Sequence, residues 1–147
     1  MRVGVLILTL LCPCPAMADA LSFQFWPDRD PDHAVSCRIG LDHQTLSVIE
    51  VLGQVKPGRV LRWPQRRGEE AAVLAALQAL IAGDLASVDI YTSRLPAPPY
   101  VTLNWSAHVN NRPVSGLYVQ TGLDLPPVLA ALIDTVLPGG PCQSALK

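Results

Sequence analysis

The amino-acid sequence predicts an α+β domain in which one antiparallel sheet packs against two amphipathic helices, in the order β-β-β-β-α-β-β-β-α. Three observations support this fold class. Runs of alternating apolar and polar residues are joined by short links, which is typical of antiparallel strands. Two further stretches space their apolar residues three and four apart, as helices do. An even pair of cysteines in a chain that we expect to be exported adds one disulfide.

The N-terminal segment has the three features of a secretory signal peptide. Arg2 supplies a positive charge, an apolar run of nine residues follows, and small residues in A-x-A spacing end the segment. We therefore expect residues 1–20 to be a signal peptide that is cleaved after Ala18 or Ala20. Residues 21–147 should then form a single domain. The apolar run is about half of the ~20 residues that a membrane-spanning helix needs, which argues against a permanent anchor.

Cysteine usage predicts one cross-link in the exported protein. Cys12 and Cys14 lie within the segment that we expect to be removed, so two of the four cysteines remain. Cys37 and Cys142 form an even pair in an oxidising compartment, which predicts a disulfide between them. Such a bond closes a loop of roughly a hundred residues, and in the chain-entropy model it contributes about 4 kcal/mol to stability.

Composition limits the partners and the compartment. Cleavage after Ala20 would leave ten basic and eleven acidic side chains, so the domain lacks the basic footprint of a nucleic-acid-binding protein. No second apolar run is long enough to span a membrane. Nine arginines against two lysines, with abundant Ala, Leu, Pro and Gly, suggest a bacterial chain from a GC-rich genome. Together with the signal peptide, this composition predicts a periplasmic or secreted protein.

Four strands are expected before the first helix. The segments LSFQFW and AVSCRIG alternate apolar and polar residues, and the second of them places Val35, Cys37 and Ile39 on one face. The segments TLSVIEVLG and RVLRW are rich in β-branched and apolar residues, and they complete the first half of the sheet.

The spacing of the apolar residues then changes to that of a helix. Between Glu69 and Ala82 the large apolar residues fall three and four apart, and Gly83 can end the helix in a left-handed conformation. The opposite face is small and nearly uncharged, so we expect this helix to be covered on both sides. The apolar face consists of Val73, Leu74, Leu77, Leu80 and Ile81.

Three more strands are expected after this helix. The segment SVDIYTS returns to a strand pattern, and the long alternation from Tyr100 onward predicts a hairpin that turns at Asn110–Asn111. The loop can contain two or four residues. Either length puts the same side chains on one face, which we expect to be buried. That face consists of Trp105, Val114, Gly116 and Tyr118.

A second helix should close the domain. Asp124 is a suitable N-cap, and Pro126 and Pro127 would fall in the first turn, where proline is tolerated. The segment PGGP at 138–141 should end the helix and direct Cys142 back toward the sheet. The apolar stripe consists of Leu125, Val128, Leu129, Leu132, Ile133 and Val136.

An acidic turn is the first candidate site. Asp28, Asp30 and Asp32 occupy alternate positions and precede His33, which is the spacing that opens an EF-hand loop. That motif also needs Gly and Glu at the positions held here by His33 and Ile39, so the segment is not an EF-hand. Two interpretations stay open: a looser calcium or zinc site, and a solvated turn formed by Asp and Pro.

A cluster of arginines is the second candidate site. Four of the ten basic side chains expected in the mature chain, together with a tryptophan, fall within nine positions. The cluster could bind an acidic protein or an anionic envelope component, since Arg and Trp are common at binding hot spots. The alternative is a charged edge strand that protects a sheet from aggregation, followed by two loop arginines. The residues are Arg59, Arg62, Trp63, Arg66 and Arg67.

We therefore expect an exported accessory domain that binds a partner, carries no cofactor and has no catalytic activity. An alternative from another class is a hydrolase or metal-dependent enzyme. Its site would use His108 and Ser115, which share a face of the hairpin, or the acidic turn at 28–33. Ser115 lacks the G-x-S-x-G environment of a nucleophile elbow, and no phosphate-binding glycine loop is present in the sequence.

Overall fold

The computed structural model describes residues 18–54, 58–88 and 94–147. The described chain contains six strands and three helices. The strands are β1 (Asp19–Trp26), β2 (Val35–Asp42), β3 (Thr45–Leu52), β4 (Arg59–Arg62), β5 (Tyr100–Val109) and β6 (Arg112–Thr121). The helices are α1 (Glu70–Ala82), α2 (Pro127–Val136) and α3 (Pro141–Ser144).

All six strands belong to one antiparallel sheet with the order β4-β3-β2-β1-β5-β6, and the predicted α+β class is confirmed. Consecutive strands pair with one another except β4 and β5, between which α1 lies in the sequence, and β5 pairs with β1 instead. The strand expected at 87–93 falls largely on residues 89–93, outside the described residues. The Val88 N–H donates to the carbonyl of Val119 on β6 at 2.7 Å. The signal peptide expected at 1–20 also lies almost wholly outside the described residues.

The core lies on one face of the sheet. Alternate residues of the inner strands point to this face and form one buried cluster with residues of α1 and α2, so the domain has two layers. Leu21, Phe23 and Phe25 of the inner strand β1 are at most 1% exposed. The opposite face carries no packed helix in the described chain, and we call it the open face. Its central cross-strand row consists of Arg62, Ile49, Arg38, Ser22, Asn104 and Leu117.

The loop of the β5–β6 hairpin contains two residues, which is one of the two lengths that the sequence allowed. Asn110 and Asn111 both have positive φ, 51° and 61°, so they form a two-residue turn of the type that suits a right-twisted hairpin. Trp105 therefore pairs with Gly116 on the helix-covered face. The indole lies directly over Gly116, where a Cβ would come within 2.6 Å of the ring. Glycine at this position allows the tryptophan to lie flat on the sheet.

Helix α1 is less covered than the sequence suggested. Gly83 ends it with φ 72°, as predicted, and its N–H bonds to the carbonyls of the last turn. The buried stripe, however, includes Ala76, and this rotates Leu74 and Ile81 to the surface, where they are 44% and 41% exposed. The expectation that both sides of the helix are covered is therefore wrong. The buried residues are Val73, Ala76, Leu77 and Leu80.

Helix α2 begins later than expected. Its first residue is Pro127, and Pro126 precedes it in an extended conformation, so Asp124 does not act as the N-cap. The reason is that a proline restricts the residue before it to extended backbone, so two consecutive prolines delay the helix. The buried stripe of Leu129, Leu132, Ile133 and Val136 agrees with the prediction. Among the described residues, none of the helices is both long enough and apolar enough to cross a membrane.

The predicted disulfide joins the sheet to the chain end. Cys37 of β2 bonds to Cys142 of α3, and their Cα atoms are 6.3 Å apart, within the usual range for disulfides. Both cysteines are buried, and α3 is held against β2 and β3. The cross-link therefore fixes the last described segment beside the strands nearest the β4 edge.

Candidate functional site

The arginine cluster lies on and after β4, the strand at one edge of the sheet. Strand alternation divides the cluster between the two faces, because Arg62 is paired with Ile49 on the open face and Leu61 is paired with Glu50 on the helix-covered face. Arg59 shares the helix-covered side with Leu61. The five residues therefore do not form one continuous surface, and each of them has to be considered in its own surroundings.

Trp63 is part of the fold rather than a free stacking surface. Its indole N–H donates to Oε2 of Glu50 at 2.8 Å, and the ring is only partly exposed. Glu50 is fully buried, and its other oxygen accepts the backbone N–H of Cys142 at 2.9 Å. A Cβ at Gly140 would collide with this carboxylate. The tryptophan thus joins β4 to the segment that carries the disulfide.

Arg66 is also held within the fold. Its Nε lies 2.9 Å from Oε2 of Glu69, and both side chains are largely covered, at 26% and 29% exposure. Its backbone exchanges two hydrogen bonds with Leu46 of β3, at 2.8 and 3.3 Å. Arg66 therefore continues the backbone pairing with β3 beyond the end of β4. Its positive charge is paired with Glu69, so it adds little to the exposed charge of the surface.

Three arginines of the cluster remain exposed. Arg59, Arg62 and Arg67 all lie at the surface, and no ion pair joins them to a carboxylate within the described parts of the chain. Arg38 adds a fourth exposed guanidinium in the same cross-strand row as Arg62, with Ile49 between them. Sequence reasoning did not select Arg38, although the alternation in AVSCRIG indicates that it points away from Cys37.

The outer edge of β4 presents backbone groups as well as charge. The Trp63 N–H donates to the carbonyl of Val48 at 3.1 Å, so Trp63 and Val48 are a hydrogen-bonded pair of the β3–β4 ladder. Such pairs alternate along an antiparallel ladder. Leu61 and Trp63 direct their backbone groups toward β3. The N–H and C=O groups of Val60 and Arg62 therefore point away from the sheet. Val60 is 50% exposed, and no described strand pairs with this edge.

A cleft adjoins the helix-covered side of this edge. It has a volume of about 670 Å³, within the usual range for ligand-binding clefts. Its apolar lining comes partly from the strands and partly from the segment around α3, and two side chains from the predicted sites, His33 and Arg59, also contribute. The principal apolar residues of the lining are Val35, Leu52, Leu61, Leu123, Pro141 and Ala145.

Two of the three carboxylates of the acidic turn have hydrogen-bond partners within the turn. Asp28 accepts the backbone N–H of Asp30 at 2.8 Å and lies 2.7 Å from Nδ1 of His33, while Asp30 accepts the N–H of Asp32 at 2.9 Å. The hydrogen bond with Asp28 raises the pKa of His33, and the same bond lowers the pKa of Asp28. Within the described residues, no group of three or more metal-ligating side chains is placed to hold an ion. The geometry is that of a turn closed by the contact between Asp28 and His33.

The hairpin does not bring His108 and Ser115 directly together. Ser115 is paired with Ser106, and His108 is paired with Pro113. The Nδ1 of His108 instead lies 3.1 Å from Oδ1 of Asp19 on β1. This histidine therefore joins the start of the first strand to the hairpin, which is a structural contact.

Comparisons of the chain with models of protein families, with curated proteins and with solved structures found no match.

Proposed function

We propose that this protein is an exported, periplasmic binding domain that recognises an acidic protein through the β4 edge and its exposed arginines. The observation that carries the proposal is the coincidence of Arg59, Arg62 and Arg67 with an unpaired sheet edge in a chain of net charge −1. Binding without catalysis, and without a cofactor, is part of the same proposal.

The export part of the proposal is supported by the sequence and by the cross-link. The N-terminal segment has the charge, apolar run and small-residue exit of a signal peptide. The Cys37–Cys142 bond is compatible with an oxidising compartment such as the bacterial periplasm.

The choice of an acidic protein as partner follows from the arrangement of charge. Opposite charges at the rim of an interface increase the rate of encounter and disfavour partners of the wrong sign. The arginine guanidinium also binds carboxylates through two parallel hydrogen bonds, so exposed arginines on and beside this edge favour carboxylate-bearing surfaces. Because the charges are exposed, their contribution should fall as the salt concentration rises.

Crosslinking capture from a periplasmic extract of the host tests the proposal. The wild-type domain is compared at low salt with the variant Arg59→Ala, Arg62→Ala, Arg67→Ala, which leaves Arg66 and Trp63 in place because they support the fold. Arg112→Ala, at the hairpin of β5 and β6, is the matched control for loss of an exposed arginine. We expect the triple variant to lose the acidic partner and the control to retain it.

Two results would contradict this proposal. Capture of the same proteins with unchanged yield by the triple variant would leave β4 as a charged edge that only prevents aggregation. Binding to vesicles that contain phosphatidylglycerol, with no protein captured, would assign the arginines to a membrane surface instead.

A further inference from the structure

We infer that the partner binds by adding an extended strand to the outer edge of β4, with acidic side chains on the open face and an apolar side chain in the adjoining cleft. This inference rests on the proposed function and specifies the mode of binding. Strand addition is a common form of peptide recognition, in which main-chain hydrogen bonds supply affinity and pockets for alternate side chains supply specificity.

The backbone of β4 is placed for this pairing. The outward N–H and C=O groups of Val60 and Arg62 can bond to an added strand without disturbing the bonds that Leu61 makes to β3. The far edge of the sheet differs, because both backbone groups of Val119 on β6 already bond to residues 87–88. The far edge is thus occupied at Val119, whereas no described residue bonds to the outer side of β4.

The two sides of β4 define the chemistry of the added strand. On the open face, a partner residue beside Arg62 would extend the central cross-strand row. This row contains Arg62 and Arg38, and none of its six residues is acidic. On the other side, a partner residue beside Leu61 would point toward the cleft that Leu61, Leu52 and Pro141 line. An extended segment that alternates acidic and apolar residues satisfies both requirements, because successive side chains of a strand point to opposite faces.

A capped nine-residue peptide of alternating glutamate and valine is the probe for this inference. Amide hydrogen exchange of the full domain, measured by NMR with and without the peptide, reports the pairing directly. We expect the amides of Val60 and Arg62 to become protected. The amide of Trp63, which already bonds to Val48, serves as the internal reference and should not change.

A proline substitution separates the contribution of backbone hydrogen bonds to peptide affinity from the contribution of charge. Val60→Pro removes an outward N–H, a change that edge strands tolerate, and it keeps every arginine. Val60→Ala is its matched control, since it shortens the side chain and keeps the amide. We expect Val60→Pro to bind the peptide about three- to tenfold more weakly than Val60→Ala, the factor expected for a lost hydrogen bond. If Val60→Pro does not fold, a peptide N-methylated at alternate amides replaces it and should bind as weakly.

The outcomes distinguish this inference from the proposed function. If the peptide binds and the triple arginine variant abolishes binding, but Val60 and Arg62 stay unprotected, the charged surface is correct and strand addition is wrong. If the triple variant binds the peptide unchanged, the proposed function fails as well. If the wild type does not bind the peptide, strand addition is wrong, and the capture experiment still decides the proposed function. Protection of the same amides by increasing protein concentration alone would show that a second copy of the domain occupies the edge, and this would overturn the inference.

Discussion

The carboxylate of Glu50 accepts the backbone N–H of Cys142 at 2.9 Å, although 92 positions separate the two residues in the sequence. The same carboxylate accepts the indole N–H of Trp63 at 2.8 Å, and it is fully buried. Glu50 therefore joins β3, the end of β4 and the disulfide-bearing segment at one point. Because burial of a carboxylate is costly, this arrangement is stable only while its hydrogen bonds are made.

We predict that Glu50→Ala destabilises the domain substantially. Removal of the carboxylate leaves the buried Cys142 N–H and the Trp63 indole N–H without an acceptor, at a cost of about 1–3 kcal/mol for each group that stays unsatisfied. Urea denaturation gives the free energy of unfolding. Glu50→Gln, which keeps one carbonyl oxygen, is the matched control and should lose less. Equal stability of wild type and Glu50→Ala would show that these hydrogen bonds do not hold the segment.

Loss of the disulfide should also reduce stability. We predict that Cys142→Ser lowers the free energy of unfolding by about 2–5 kcal/mol, since the Cys37–Cys142 bond constrains a long loop in the unfolded chain. Alkylation of the exported wild-type protein under denaturing conditions should find neither thiol free. Two alkylated cysteines, or a variant as stable as the wild type, would contradict this account of the cross-link.

The strands and their faces could be predicted from sequence because alternation is a local signal. The Asn110–Asn111 turn follows from residue type, and the pairing of Cys37 with Cys142 follows from the two cysteines that remain after the expected signal peptide. The role of Glu50 could not be predicted in this way. A glutamate within an apolar strand pattern has no local signature, and its partners come from segments 13 and 92 positions away.

The arginine cluster shows the same limit. Sequence spacing placed its members together, and β4 lies at an edge of the sheet, which agrees with one of the two interpretations that the spacing left open. Spacing could not show that Arg66 pairs with Glu69 or that Trp63 is tied to a buried carboxylate. It also missed Arg38, which reaches the same row from another strand. The contacts of Trp63 and the position of Arg38 depend on strand order, and strand order is set by packing that extends over the whole chain.

Maturation should occur after Ala18 rather than after Ala20. Cleavage after Ala20 would remove two residues that pair with β2, and it would also remove the Asp19 carboxylate that lies 3.1 Å from His108. Cleavage after Ala18 keeps both contacts. Intact-mass analysis of protein from the host periplasm should therefore find a chain that starts at Asp19. A mature chain that starts at Leu21, or one that retains Met1, would contradict this prediction.

The acidic turn should respond to pH through His33. The hydrogen bond with Asp28 raises the pKa of His33 above its ordinary value of 6.5, so the contribution of the pair to stability is full below that value. It is lost as the pH rises through the raised pKa. The same bond lowers the pKa of Asp28, so on the acid side the contribution is lost only below that residue's ordinary pKa of 3.8. NMR titration should find the pKa of His33 raised in the wild type and reduced in Asp28→Asn, and an identical titration in both would contradict the pairing.

The most direct test of the β4 binding surface is the charge preference of its partner strand. Affinities are measured at low salt for the alternating glutamate–valine peptide and for a lysine–valine peptide of the same length. The wild type should prefer the glutamate peptide, and the variant Arg59→Glu, Arg62→Glu, Arg67→Glu should prefer the lysine peptide, because the sign of the surface has been reversed. Arg112→Glu should keep the wild-type preference. A wild type that binds neither peptide would show that strand addition is wrong, and a triple variant that still prefers glutamate would show that the β4 edge is not the binding surface.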